Sequence, residues 1–69
     1  MEQILFTVSE TAELLKINKN AVYNLIKNNV LTALKLGSLK ITKTELTRFL
    51  DTYEGKDLTD LNNIKDLQI

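Results

Sequence analysis

The 69-residue chain has no cysteine and no histidine. Together these absences remove disulfide stapling, thiolate chemistry, Cys/His metal sites and any acid–base or triad mechanism built on imidazole. Only two glycines are present, Gly37 and Gly55, so there is no glycine-rich loop to cradle a phosphate. Long apolar runs are missing as well. The opening "MEQILFTV" has Glu2 where a signal peptide needs a basic region, and its apolar stretch is too short for a signal core or a membrane span. The expectation is a soluble, cytoplasmic protein with no membrane partner. Carboxylates do occur, and Glu45, Asp51, Glu54, Asp57 and Asp60 are the groups available for acid–base work or hard cations. They fall on a polar helix face or in the C-terminal tail, with no expected pocket to shift their pKa values. They read as solvated surface, so no catalytic residue, metal site or cofactor is expected and the chain reads as a non-enzyme.

What is present points to one small globular domain, with 43% hydrophobic and 26% charged residues. A chain of this size buries only about 60% of its unfolded surface, so its stability is expected to be marginal. Nine basic and nine acidic residues cancel, but they are not mixed. Lys16 to Thr44 holds six lysines (Lys16, Lys19, Lys27, Lys35, Lys40, Lys43) and no acid. Met1 to Leu15 has three glutamates and no base, and Glu45 to Ile69 has six acids against Arg48, Lys56 and Lys65. A basic centre between acidic ends can focus a positive field on one surface of a neutral molecule.

Periodicity orders the elements as strand, helix, helix, hairpin, helix. Ile4 to Phe6 is a short strand candidate, and Thr7 with Glu10 has capping-box spacing. Val8, Thr11, Ala12 and Leu15 then recur at i, i+3, i+4, i+7, and this first helix should stop near Lys16. Asn18 is the expected N-cap of a second helix running to about Asn28, with Asn29 as a left-handed C-terminal cap. The turn from Lys16 to Lys19 has the length of a helix-turn-helix. "TALKLGSLKIT" reads as a β-hairpin in which Gly37-Ser38 forms a type II′ turn. Thr42 and Glu45 form a second capping box, and Leu46, Phe49, Leu50 and Tyr53 mark a third helix ending near Gly55. Beyond it, Leu58, Leu61, Ile64 and Leu67 repeat every third residue, a spacing that drifts around an α-helix. This tail, residues 55–69, reads as either a short helix capped by Asp57 or a disordered segment, and residues 1–54 as the domain.

On the second helix Val22, Leu25 and Ile26 point to the core. Asn20, Tyr23, Asn24 and Lys27 lie on the opposite side by the 3.6-residue period, with Lys19 beside them. These side-chain types suit nucleic acid: Asn can pair bidentately with adenine, Lys can reach guanine acceptors or phosphates, and Tyr offers a hydroxyl and a flat body. Asn18 and the first N–H groups of the helix can receive a phosphate. Lys35, Ser38, Lys40 and Lys43 follow on or beside the hairpin, although lysines on a hairpin also protect an edge strand from aggregation. Two successive basic elements without an acid favour a winged helix-turn-helix on double-stranded DNA: a mainly α fold of three helices and a small β-hairpin wing.

The stretch from Phe6 to Leu50, "FTVSETAELLKINKNAVYNLIKNNVLTALKLGSLKITKTELTRFL", resembles the excisionase-family DNA-binding domain, a small winged helix-turn-helix related to the MerR-type N-terminal domain. The resemblance rests on Thr7, Val8, Glu10, Ala12, Glu13, Leu14 and Leu15, on Ala21 to Ile26, on the wing from Lys35 to Ile41, and on "TELTRFL". Family members often carry Gly and Pro where this chain has Asn29 and Thr32, and a longer wing. The resemblance implies that the second helix (Lys19, Asn20, Tyr23, Asn24, Lys27) enters the major groove. The wing would lie on the neighbouring backbone or minor groove, and Lys16, Asn18, Lys35, Ser38, Lys40 and Lys43 would hold the backbone. It also implies a recombination directionality factor or small transcription regulator of a phage or mobile element, in a bacterial cell or phage-infected host. Its partners would be an integrase or further protomers. The alternative expectation is a protein-interaction regulator that binds a partner such as an integrase through Leu58, Leu61, Ile64 and Leu67.

Overall fold

In the computed structural model, which describes residues 3–68, capping chemistry sets the helix boundaries. Glu2, used in the charge and signal-peptide arguments, lies outside the described residues. Strand β1 (Leu5–Thr7) runs into helix α1 (Val8–Leu15). The Thr7 hydroxyl accepts from the Glu10 N–H at 3.1 Å while the Glu10 carboxylate accepts from the Thr7 N–H at 2.9 Å, a complete capping box. Helix α1 ends at Lys16, which is left-handed (φ 60°), and the Ile17 N–H closes back on the Ala12 carbonyl at 3.0 Å. Helix α2 (Lys19–Lys27) starts at Asn18, whose side-chain oxygen accepts from the Ala21 N–H at 2.7 Å.

The exit from α2 uses Asn29 at φ 60°, with the Val30 N–H reaching the Leu25 carbonyl at 2.9 Å. A left-handed residue here usually calls for glycine, and Asn is the side chain that tolerates it best. The turn drives Val30 and Leu31 into the core, where Leu31 is only 1% exposed. Around them pack Val8, Ala12, Val22, Leu25, Ile41, Leu46 and Phe49. Buried Thr11 is satisfied by donating its hydroxyl to the Thr7 carbonyl at 2.9 Å.

Strands β2 (Leu34–Leu36) and β3 (Ser38–Thr42) form the wing, and β1 joins the other edge of β3, giving an antiparallel sheet in the order β1-β3-β2. Helix α3 (Lys43–Tyr53) follows directly. The architecture is that of a winged helix-turn-helix domain: three helices and a small antiparallel sheet.

Three local expectations need correction. The wing does not close with a two-residue type II′ turn, because Leu36 pairs with Ser38 and leaves only Gly37 (φ 76°) between the paired residues. That register places Leu34 and Leu36 opposite Lys40 and Ser38, on the face away from Ile41, and Leu36 is 57% exposed. All three β2 residues are exposed, so burial does not dictate the register and the turn decides it.

The second capping box is only half made. The Thr42 hydroxyl accepts from the Glu45 N–H at 3.0 Å, but the Glu45 carboxylate is taken by Arg48 and by the Thr32 N–H. Among the described residues the tail forms no helix: β4 (Lys56–Asp57) and β5 (Lys65–Asp66) pair as an antiparallel ribbon. Asp57 and Asp60, instead of capping a helix, accept from the N–H groups of Thr59 and Asn62, two residues on. Such turns compete with helix formation.

Candidate nucleic-acid interface

On α2 the two faces separate as the period requires, with Val22 and Leu25 buried and Ile26 partly buried, while Lys19, Asn20, Tyr23, Asn24 and Lys27 are exposed. Tyr23 is 48% exposed although it is one of the larger apolar bodies of the chain, so packing does not explain its place. No carboxylate lies on the helix. Lys16 and Asn18 stand exposed at the turn that precedes it. Lys16, Lys19, Lys27 and Lys35 are exposed, and among the described residues none of the four is held in an ion pair. Their charges are therefore not compensated locally, and burying them against an anion would not break an existing contact.

The remaining basic positions are more constrained. Lys40, partly buried on β3, donates from Nζ to the Ser38 hydroxyl at 2.7 Å and to the Leu36 carbonyl at 3.2 Å, so it braces the tip of the wing. An ammonium has three donors, which leaves one to face outward. Ser38 is engaged in the same brace. Lys43 is partly buried at the start of α3, and its backbone N–H donates to the Ile4 carbonyl at 2.9 Å.

One group that the sequence reading did not single out ties α3 to the connection between α2 and the wing. Arg48 grips Glu45 in a two-pronged contact, Nε to Oε1 at 2.7 Å and Nη2 to Oε2 at 2.6 Å, and Nη2 also donates to the Val30 carbonyl at 3.1 Å. Glu45 in turn accepts from the Thr32 N–H at 2.8 Å. The Arg48 hydrogen bonds hold the Glu45 carboxyl below the ordinary glutamate range, opposed by its burial and helped by the Thr32 N–H. The clamp fixes the segment that sets where the wing stands relative to α2. The i, i+3 spacing of Glu45 and Arg48 was a visible signal for the pair, but their reach to Val30 and Thr32 depends on tertiary folding.

The tail residues Leu58, Leu61 and Ile64 are partly buried against the domain's own core, whereas Leu67 is 52% exposed. The apolar stripe is thus not presented outward as one surface. Among the described residues no group of His, Cys, Asp or Glu is arranged to hold a metal, and no helix is long and apolar enough to cross a membrane.

A family profile described as "Helix-turn-helix domain" matches residues 5–53, which span β1 through α3 and stop before the ribbon. Searches of curated proteins and of solved structures return no significant match.

Proposed function

Because the chain belongs to the helix-turn-helix domain family, we propose that it is a sequence-specific binder of double-stranded DNA that inserts α2 into the major groove. The observation that carries this reading is the α2 face itself: exposed Lys19, Asn20, Tyr23, Asn24 and Lys27 on a helix without a carboxylate. A carboxylate there would face a duplex bearing one negative charge per about 1.7 Å of axis. In this reading Asn20 and Asn24 supply bidentate contacts to bases, each worth about 1–3 kcal/mol of discrimination. Lys16, Asn18 and the wing residues Lys35, Ser38, Lys40 and Lys43 hold the phosphate backbone, which fixes register without reading sequence.

The role within this class is excisionase-type: a small DNA-binding protein of a phage or mobile element that directs recombination or regulates transcription. The support for it is the run of matching residues from Phe6 to Leu50 and the α2-wing-α3 order. Selection of bound duplexes from a randomised pool tests DNA reading. A recovered consensus that Asn24→Ala blurs supports it, and retention of no duplex overturns it. An integrase gene beside this one would favour recombination over regulation.

A further inference from the structure

Leu58 and Leu61 do more than cover the core. Together with Leu15, Ile17, Leu25 and Phe49 they line an apolar groove of about 420 Å³. Its apolar lining includes Ile17, 38% exposed, and Leu50, 50% exposed. A second depression of about 400 Å³ shares Phe49, Leu50 and Leu58 with the first and is lined also by Asp51 and Glu54. The shared residues make them neighbours, taken together as one trough whose lining is largely apolar and includes two carboxylates.

The charge around the trough selects its occupant. Residues Glu45 to Ile69 hold six acids and three bases. Glu45 and Asp66 are already paired with Arg48 and Lys56. Among the described residues the side-chain carboxylates of Asp51 and Glu54 are in no ion pair. No residue of β4 or β5 lines either depression, so the trough offers side chains rather than a strand edge, which suits a helix laid in a groove. A second copy of the chain offers no such helix: its cationic helix, α2, has its apolar side buried in its own core, and Leu58, Leu61 and Ile64 of its tail pack against that core.

We propose that this trough is the docking site for a cationic amphipathic helix of a partner protein. Leu or Ile at i, i+3, i+4 and i+7 would lie over Leu50 and Leu58, with Lys or Arg over Asp51 and Glu54. Asn24 stands on the rim, so the docked helix lies beside α2. The assignment stands without the DNA reading, and its assay contains no DNA, so the two fail separately.

The test is fluorescence anisotropy on the full chain with three labelled helical peptides of about 16 residues, each roughly 24 Å long. One carries the leucine stripe with lysines elsewhere, the second replaces every lysine by glutamate, and the third keeps the lysines but replaces the leucines by alanine. The first should bind one to one, about tenfold or more tighter than either control. Leu50→Asp, at a half-exposed position, should keep the circular dichroism of the parent and lose about tenfold in peptide affinity. Asp51→Asn with Glu54→Gln should weaken binding and flatten its salt dependence. Equal binding of the lysine and glutamate peptides, binding undiminished in Leu50→Asp, or no binding by any peptide overturns the proposal.

Discussion

Asn24 and Lys35 differ in what they can report to DNA, and single substitutions separate the two roles. Asn24→Ala should cost about 1–3 kcal/mol on the preferred sequence and little on others, because a bidentate amide contact is specific to one base. Lys35→Ala should weaken all duplexes alike and lower the salt slope by about 0.9. Competition binding on matched and mismatched duplexes distinguishes them, and uniform losses from both would contradict the assignment. Lys40 is a poorer probe of phosphate contact, since its removal also frees the Leu36 carbonyl and the Ser38 hydroxyl at the wing tip. Asn29 is a residue of backbone conformation rather than contact. At φ 60°, Asn29→Gly should stabilise by up to about 1 kcal/mol and Asn29→Val should destabilise by about 1–2 kcal/mol, read by thermal or urea unfolding.

Among the elements, the connection from α2 to the wing depends on Glu45 in its charged form. Its carboxyl is held below the ordinary glutamate range in the folded chain, so the stability it adds is present above the unfolded range and is lost as pH falls through the lowered value. Glu45→Gln should therefore be less stable near neutrality and show a shallower loss on acidification; an unchanged acid limb in urea titrations would contradict the clamp. In the tail, Leu61→Asp, at a site packed against the core, should destabilise the domain while Leu67→Asp, at an exposed site, should not. The helices were legible because their signals are local: Thr7 with Glu10, Asn18 and Asn29 each act within a few residues of themselves. The exposed face of α2 was legible for the same reason, since the helical period alone separates Tyr23 from Val22. The wing register was not, because β2 buries nothing and a one-residue change at Gly37 turns Leu34 and Leu36 to the other face. Val30 and Leu31 also escaped periodicity, for they enter the core from a left-handed turn rather than from a helix face. The tail was not legible, because its three-residue repeat fits no helix face and Asp57, the expected cap, closes a tight turn on Thr59 as Asp60 does on Asn62.

At the scale of the whole molecule, zero net charge conceals a division: six lysines and no acid between Lys16 and Thr44, and six acids against three bases from Glu45 onward. The basic segment carries α2 and the wing, and the acidic segment carries Asp51 and Glu54 of the trough, so the two proposals assign partners of opposite charge to one neutral chain. Long-range repulsion between the acidic half and DNA is screened over about 8 Å at physiological salt, which limits its cost to binding. The central claim, that Lys16, Lys35, Lys40 and Lys43 meet a DNA backbone, is tested most directly by the dissociation constant for duplex DNA across a series of salt concentrations. With about four lysines on phosphates, log K should fall with log[salt] at a slope of roughly −3.6. Affinity independent of salt, or no affinity for duplex DNA at any salt, would contradict it.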